Sequence, residues 1–410
     1  MRKNVIVLGA GPAGMTAAIK AAENGARVLL LEHMDRVGKK ILSTGNGKCN
    51  ITNEYMEVSC FHSSQPEFCL KALSRFGKKA ALNYMEEIGI MPISKRGYYY
   101  PASEQATAVL DALRRKCEAA GVETRTGIKV QKIEKKKRFQ LTTSESIFEA
   151  DALILATGSM AAPKTGSDGS GYELAKSLGH RIIRPLPALV QLKSSPNIFK
   201  QLAGLRMDAK LELLCDGKKI EEETGELQCV DYGISGIPVF QLSSRAIRLF
   251  EDGHKMEMVI DFFPALDGQA LFETLIARRK RLSYLDCEEF LTGMFAKAAA
   301  GVFLRSVHIP LHARCTDVKE EDWRRFSKLV KRFHVPINGY NSFDRAQTCS
   351  GGVDPSQVYP QTMESKLVPG LYFAGEMLDV DGICGGYNLQ WAWTSGTLAG
   401  IAAAKTEARR

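Results

Sequence analysis

A glycine-rich loop directly behind the first strand constrains the fold of this chain more than any other feature. Residues 4–8 form a nearly continuous apolar run, typical of a strand buried in a parallel sheet, and the loop GAGPAG follows at 9–14. In such a loop Gly9 allows the tight turn, and Gly11 lets a pyrophosphate approach the backbone. Gly14 lets the next helix pack closely against the strand. The spacing therefore predicts the nucleotide-binding corner of a Rossmann-type domain.

The residues after the loop complete this nucleotide-binding pattern. Pro12 and Ala13 begin a helix with one apolar face, and the free N–H groups of its first turn can bind phosphate. A second strand at 27–31 ends in Glu32, whose carboxylate can accept hydrogen bonds from a ribose hydroxyl. A G-x-G-x-x-G sequence alone is weak evidence, but here strand, loop, helix, strand and acid follow in order. The acid favours FAD or NAD over NADP.

The composition is that of a globular protein with more than one domain. The chain has 410 residues, 45% of them hydrophobic, which predicts two or three domains. The net charge is +9, and basic residues form short runs at 134–138 and 278–281. These runs indicate solvated surface, because no aromatic residues lie between the charges as a base-stacking platform requires. We expect no nucleic-acid partner, although an RNA-modifying flavoprotein stays open as an alternative.

The cysteine pattern and the first residues bear on the location of the protein. None of the ten cysteines belongs to a C-x-x-C pair, so the sequence contains no zinc knuckle or redox dithiol of that spacing, and we expect no metal site. Free thiols are typical of a reducing compartment. The first strand leaves no room for a signal peptide, and no apolar run approaches the roughly 18 residues of a membrane span. We expect a cytoplasmic protein without membrane contact.

Two strand ends farther along the chain bear on the choice between FAD and NAD. The apolar run at 150–159 includes Thr157 and Gly158 near its end, a sequence typical of flavoproteins of the two-dinucleotide-binding type. A later strand ends at Gly375 and Glu376, where an acid suits the ribityl chain of a flavin.

A helix start near the C-terminus then favours FAD. Gly386, Asn388 and Leu389 lie where a small-residue-rich helix begins, and its free N–H groups would stabilise the negative charge of a reduced flavin. Nicotinamide dehydrogenases have no such C-terminal return to the nucleotide site. The sequence therefore predicts FAD as the cofactor.

The segment that follows the second strand offers further contacts to a flavin nucleotide. Lys39 or Lys40 can pair with phosphate, and Ser43 can donate a hydrogen bond to it. Gly45 and Asn46 can bring backbone groups beside the flavin. We expect roughly half of the polar residues here to make direct contacts.

Three residues are candidates for a proton donor. Asp379, Asp381 and Tyr387 flank the predicted flavin edge, and an acid or phenol there could protonate carbon after a hydride arrives. The histidines of the central region are more typical of surface or packing residues. We assign no catalytic acid from the sequence.

These segments together resemble the BaiN/YhiN-like flavoproteins, a family that includes the aminoacetone oxidase group. Two of them, GKKILSTGNGKCN and LDVDG-x-x-GGYNLQWAW, are specific to that family, whereas the glycine loop is shared widely. The matching segments are GAGPAG (9–14), VGKKILSTGNGKCNITN (37–53), YYPASEQATAVLDAL (99–113), GSDGSGYELAKSLGH (166–180), GELQCVDYGISGIPVFQLS (225–243), CSGGV (349–353) and ESKLVPGLYFAGEMLDVDGICGGYNLQWAWTSG (364–396).

The resemblance implies an α/β fold with a Rossmann-type FAD-binding domain and two inserted parts. The FAD domain would comprise 1–189 with 346–410. A small β-barrel-like insert would comprise 190–260 with 333–345, and a helical insert 261–332. Short alternating segments in the first insert and helical spacing in the second agree with this outline.

The resemblance also implies a position for the adenine and a reaction. Val130 is similar to the residue through whose backbone two-dinucleotide flavoproteins hold adenine. The implied activity passes hydride from NADH or NADPH through FAD to a C=C bond conjugated to a ketone, in a bile-acid or steroid-type small molecule. An oxygen-dependent oxidase of a small amine or aminoketone is the alternative, because no second strand-linked G-x-G-x-x-G marks a nicotinamide site. The oligomeric state stays open.

Overall fold

A computed structural model describes residues 2–405 and divides the chain into two compact units. The first contains the residues up to Ala188 and those from Phe343 onward, so both ends of the chain contribute to it. The second comprises Leu189–Ser342. The division of the inserted region into a β-barrel-like part and a helical part stays a prediction. Among the described residues, no helix is both long enough and apolar enough to cross a membrane.

The core of the first unit is a five-stranded parallel sheet. The predicted first strand, Asn4–Leu8, lies at its centre and pairs on one side with the predicted second strand. Its apolar side chains from Val5 to Leu8 are buried, as a central strand of a parallel sheet requires. The strands in spatial order are Leu371–Phe373, Ala152–Leu155, Asn4–Leu8, Arg27–Leu31 and Glu123–Arg125.

The first helix and the last helix of the described chain pack against each other through small residues. A Cβ atom at Gly396 would lie 2.5 Å from the carbonyl oxygen of Ala13, and one at Gly400 would lie 2.3 Å from that of Ala17. Only glycine permits this approach of two helix backbones. The C-terminal helix is thereby fixed beside the helix that follows the glycine loop.

Smaller elements complete the first unit. Its helices are Pro12–Glu23, Pro66–Leu73, Lys78–Glu87, Ala106–Ala119, Ser170–Ser177 and Tyr387–Ala404. Its further strands form a sheet of Thr52–Asn53, Tyr98–Pro101 and Pro92–Lys95, a sheet of Ile147–Ala150, Phe139–Thr142 and Lys132–Lys135, and the pairs Ile182–Ala188 with Thr348–Val353 and Phe61–His62 with Asp381–Gly382.

The second unit combines a seven-stranded antiparallel sheet with helices. Its strands in spatial order are Phe333–Pro336, Met256–Asp261, Arg206–Cys215, Lys218–Val230, Gly233–Gly236, Leu192–Lys193 and Gly339–Tyr340. Its helices are Pro196–Leu202, Ile237–Glu251, Gly268–Arg281, Cys287–Leu291, Lys297–Ser306 and Glu320–Lys331.

Two of these helices, Pro196–Leu202 and Ile237–Glu251, lie within the range 190–260 for which the sequence predicts a β-barrel-like insert. The longer one buries Val239, Leu242 and Ala246, which are spaced three and four residues apart as on one face of a helix. The three- and four-residue spacing could have predicted this helix from the sequence. The alternating, strand-like segments on either side of it made the helical spacing hard to recognise.

A buried histidine in the first unit makes its stability depend on pH. His180 is 3% exposed, its Nε2 lies 2.8 Å from the Ser365 hydroxyl, and its ring meets the edge of Phe373. Burial lowers the pKa of His180 from its ordinary value of 6.5. The unfolded chain therefore binds a proton in a pH range where the folded one does not, so this contribution to stability is complete above pH about 6.5 and falls below it.

We expect the free energy of unfolding to fall by up to about 1 kcal/mol between pH 7.5 and pH 5.5 on account of His180. Urea unfolding at both pH values measures this, and His180→Gln should remove the corresponding share of the pH dependence. His308→Asn is the matched control, because His308 is exposed and has a positive φ of 60°, which asparagine tolerates. An unchanged pH dependence in His180→Gln would contradict the assignment.

Candidate cofactor site

The glycine loop packs so tightly that two of its three glycines have no room for a side chain. A Cβ atom at Gly9, where φ is +99°, would lie 2.4 Å from the carbonyl oxygen of Ala156, and one at Gly14 would lie 1.8 Å from that of Gly9. A Cβ atom at Gly11, in contrast, would meet no atom within 4 Å. The loop therefore leaves open space beside Gly11, where the sequence predicts a pyrophosphate.

The helix that follows the loop suits an anion at its N-terminus. It begins at Pro12, and no side chain caps its first turn, so the backbone N–H groups at its start are available to a ligand. Ala13 is buried against the C-terminal helix and packs close to Gly375. The described residues thus fit the diphosphate of a dinucleotide by both space and hydrogen-bonding capacity.

Glu32 supports the loop as well as lying at the predicted ribose position. It is 8% exposed, and its carboxylate accepts hydrogen bonds from the backbone N–H groups of Ala10 at 2.7 Å and Met34 at 2.9 Å. Each carboxylate oxygen has further lone-pair capacity for a ribose hydroxyl. The backbone of Ile128 donates to the Glu32 carbonyl, which brings the buried residue Val130 into the same region.

The structure brings Lys40 and Glu376 together, although 336 residues separate them. The Lys40 ammonium lies 2.6 Å from the Glu376 carboxylate and also donates to the Ala161 carbonyl. The Ser159 hydroxyl donates to the same carboxylate at 2.8 Å. Lys40 is thus bound to a carboxylate here, and its predicted contact with phosphate stays a prediction.

The turn after Lys40 presents exposed backbone groups. Gly45 and Asn46 both have φ of +55°, and a Cβ atom at Gly45 would lie 2.9 Å from the backbone nitrogen of Asn50. The Ser43 hydroxyl donates to the Lys40 carbonyl at 2.9 Å, so its hydrogen bond is local. Consecutive left-handed residues of this kind form a concave backbone surface suited to an anion or a polar ring edge.

Thr157 and Gly158 lie close to the glycine loop and to the segment around Gly375. The Thr157 hydroxyl contacts the sulfur of Met377 at 2.8 Å, and Gly158, with φ of +76°, leaves no room for a Cβ beside Ser167. The Gly375 N–H donates to Ser395 of the C-terminal helix at 2.8 Å. Two strand ends and two helices therefore converge at this point.

The start of the C-terminal helix is fixed by backbone contacts. Gly386 has φ of +96°, and a Cβ atom there would lie 2.8 Å from the Thr52 carbonyl. Asn388 accepts a hydrogen bond from the Gly382 N–H and donates one to the Gly382 carbonyl, both at 2.8 Å. Leu389 is buried. Asn388 thus holds the preceding loop, a role that the sequence did not predict.

The three candidate proton donors lie beside this helix start. Asp379 and Asp381 are almost wholly buried, and Asp379 accepts a hydrogen bond from the Ser64 N–H at 2.8 Å. The Asp381 carboxylate lies 3.1 Å from Nδ1 of His62, a residue that sequence reasoning missed. Burial, with a hydrogen bond to Cys60, raises the pKa of Tyr387 well above its usual value, so the phenol stays protonated.

Two buried cysteines near these segments are thiols with no reactive character. Burial raises the pKa of Cys49 to about 12, and burial together with the neighbouring Glu376 raises that of Cys349 to about 12. Thiols of this kind are not nucleophiles at neutral pH. One group of possible metal ligands among the described residues lies in the second unit, where Asp216 is near Cys215 and hydrogen-bonded to His254.

Comparison with known proteins gives full-length matches. The sequence profile of the HI0933-like protein Rossmann domain matches residues 3–402. A 3-dehydro-bile acid delta(4,6)-reductase of Clostridium scindens is 42% identical over 402 residues, which cover 97% of this chain and 98% of that protein.

Ribosomal RNA dihydrouridine synthases are more distant relatives. The Escherichia coli protein of that name is 29% identical over 96% of each chain, and the Haemophilus influenzae protein is 29% identical over 95% of this chain and 96% of its own. In each case the likeness extends across both units.

Proposed function

Since this chain belongs to the HI0933-like family of Rossmann-domain proteins, we propose that it is an FAD-dependent oxidoreductase that reduces a C=C bond conjugated to a ketone. The family resemblance and the Rossmann-type α/β fold predicted from the sequence are confirmed. The observation that carries the proposed activity is the 42% identity, over nearly the whole of both chains, with a 3-dehydro-bile acid delta(4,6)-reductase.

The residues of the first unit fit FAD. The open space at Gly11 and the uncapped helix start would receive the pyrophosphate, and Glu32 would bind the adenosine ribose. Val130 would approach the adenine and Glu376 the ribityl chain. When bound there, FAD supplies hydride transfer in both directions.

The C-terminal helix would stabilise charge at the flavin edge. Backbone N–H groups at Tyr387, Asn388 and Leu389 are those of an uncapped first turn, following Gly386 in a left-handed conformation. Such a helix start stabilises a neighbouring negative charge by about 0.3 to 2 kcal/mol. Asn388 holds the loop at Gly382 and so keeps this edge in one arrangement.

We propose a 3-oxo steroid of the bile-acid type as substrate and NADH or NADPH as the source of hydride. A double bond conjugated to the 3-oxo group is electron-poor, and this is the bond class that the name of the Clostridium scindens relative specifies. The redox partner rests on the proposed reductase chemistry, which needs a two-electron donor. An amine oxidase would instead take its electrons from the amine substrate.

An anaerobic half-reaction experiment tests this proposal. We expect NADH or NADPH to bleach the flavin band of the purified holoenzyme, and a 3-oxo-4,6-diene bile acid to restore it. The same steroid without the two double bonds is the matched control and should leave the flavin reduced. Bleaching by an amine donor alone, or no recovery with the diene, would overturn the reductase proposal.

A second candidate function is favoured by the ribosomal RNA dihydrouridine synthases, which match 95–96% of this chain. Dihydrouridine is uridine with its C5–C6 double bond saturated, and that bond is conjugated to a carbonyl, so both candidate reactions have the same bond chemistry. The net charge of +9 is compatible with an RNA substrate. Recovery of the flavin band by unmodified ribosomal RNA, and not by the steroid diene, would replace the first candidate with the second.

A further inference from the structure

A histidine and a buried carboxylate face each other beside the start of the C-terminal helix. The short strands Phe61–His62 and Asp381–Gly382 run antiparallel, with His62 opposite Asp381. Nδ1 of His62 lies 3.1 Å from an oxygen of Asp381. The carboxylate side chain is 1% exposed, whereas the imidazole is 34% exposed. One ring nitrogen therefore contacts a buried carboxylate, while about a third of the imidazole side chain is exposed.

The pair is attached to the helix start that would contact the flavin. Gly382 follows Asp381 directly, and both of its backbone polar groups are hydrogen-bonded to the Asn388 side chain. The Phe61 ring meets the edge of the Tyr387 ring, with centroids 5.7 Å apart. Both strands that carry the pair are thus fixed to the first turn of the C-terminal helix.

A second buried carboxylate contacts the segment that follows His62. The Asp379 carboxylate is buried and binds the N–H of Ser64, two residues after His62. Further titratable groups near the pair are the Tyr387 phenol and the Cys60 thiol, which are hydrogen-bonded to each other, and the Cys349 thiol, which interacts with Asp381. A carboxylate in contact with an imidazole stabilises its protonated form and fixes the orientation of its ring.

We propose that His62 is the proton donor to the substrate and that Asp381 is the positioning residue that orients it. The inference rests on the proposed reduction of a conjugated C=C bond. It adds a residue that the sequence did not single out, because a lone histidine 319 positions from its partner leaves no local pattern.

The reduction adds one hydride and one proton to the substrate, and His62 would supply the proton. Saturating the double bond adds a hydride, ultimately from NADH or NADPH, to the carbon β to the carbonyl and a proton to the α carbon. When the hydride arrives, the π electrons of the double bond shift toward the carbonyl and leave an enolate. The enolate electron pair takes the proton from Nε2 of His62, so an N–H bond breaks and a C–H bond forms. The neutral imidazole, being partly exposed, regains a proton from water.

The first test separates the two half-reactions in His62→Gln holoenzyme. We expect reduction of the flavin by NADH or NADPH to keep its wild-type rate, and reoxidation by the steroid diene to slow by roughly 10²- to 10⁴-fold, the usual share of a general acid. Asp381→Asn should slow reoxidation by a smaller factor, because the imidazole remains but is no longer oriented. Retained flavin absorbance shows that each variant is folded.

A second readout needs no turnover. In ¹⁵N-histidine NMR spectra of the holoenzyme, we expect a slowly exchanging Nδ1–H resonance that is absent in His62→Gln and exchange-broadened in Asp381→Asn. His254→Gln is the matched control, because His254 also pairs with a carboxylate, that of Asp216 at 2.7 Å, but on the exposed surface of the second unit. This control should keep both the resonance and the wild-type reoxidation rate.

The outcomes distinguish this inference from the proposed function. Wild-type reoxidation by the diene together with an equal rate in His62→Gln would overturn the role of His62 alone. A wild-type enzyme that the diene does not reoxidise would overturn the proposed substrate, and the role of His62 with it. A protected resonance that persists in Asp381→Asn would overturn Asp381 as the positioning residue.

Discussion

Gly14→Ala is expected to destabilise the first unit strongly, whereas Gly11→Ala should keep the wild-type stability and bind FAD weakly. At Gly14 the new Cβ would lie 1.8 Å from the carbonyl oxygen of Gly9, and the Gly9 backbone is itself held by a hydrogen bond from its N–H to the Leu31 carbonyl. The obstacle is the Gly9 backbone, which cannot turn away as a flexible side chain could. We expect a loss of more than about 3 kcal/mol, the upper range for overpacking.

Gly11 differs from Gly14 in two ways: there is space for a side chain, and the backbone conformation does not require glycine. Its φ of −79° and ψ of −172° are accessible to any residue, and a Cβ there meets no protein atom within 4 Å. The free energy of unfolding of the apoprotein should therefore change by less than about 0.5 kcal/mol. The methyl group would occupy the space proposed for the pyrophosphate, and we expect FAD to bind roughly 100-fold more weakly, about 2.7 kcal/mol.

Urea unfolding of the two apoproteins and FAD titration by flavin fluorescence separate these effects. Gly25→Ala is not a suitable control, because Gly25 has a positive φ of 89°, but Gly268→Ala is, since it lies in open space at the start of a helix in the second unit. Wild-type stability in Gly14→Ala would contradict the packing argument. Wild-type affinity in Gly11→Ala would contradict the position of the pyrophosphate.

Local signals explain why the nucleotide corner could be predicted from sequence. The strand at 4–8, the glycine turn, the helix at Pro12 and the strand ending at Glu32 each depend on residues close in the chain. The helix after Gly386 was predicted for the same reason, because its glycines and small residues are contiguous. Patterns of period 2 and 3.6, with glycine at the turns, are sufficient for such elements.

The remaining features of the site depend on contacts that no local pattern records. Lys40 meets Glu376, and His62 meets Asp381, only because the parallel sheet and the packed terminal helices bring the two ends of the chain together. The charge or polarity of each residue was visible in the sequence, but its partner was not. Asn388 illustrates the same limit, since the sequence predicts its contact with a cofactor but not the two hydrogen bonds of its amide with Gly382.

Glu32→Ala is expected to lower the affinity for FAD by roughly 100-fold or more. Hydrogen bonds to a charged group contribute about 1.5 to 3 kcal/mol, and the variant would lose those proposed between the carboxylate and the ribose. It would also leave the N–H groups of Ala10 and Met34 without their present acceptor, which loosens the glycine loop. Glu67→Ala, which removes an exposed glutamate of the same unit, should keep the wild-type affinity.

Glu32 has a proposed contact with the ribose and an observed contact with the loop. A change in the ligand is therefore needed to distinguish the two effects on affinity. Wild-type protein should bind ADP more tightly than 2′,3′-dideoxy-ADP, since only ADP offers hydroxyl groups to the carboxylate. In Glu32→Ala both nucleotides should bind weakly and with nearly equal affinity, because the loosened loop weakens both while the ribose contact is absent from both. A preference for ADP that survives in Glu32→Ala would assign the ribose to another group, and Glu32 would then be a residue that shapes the loop through Ala10 and Met34 alone.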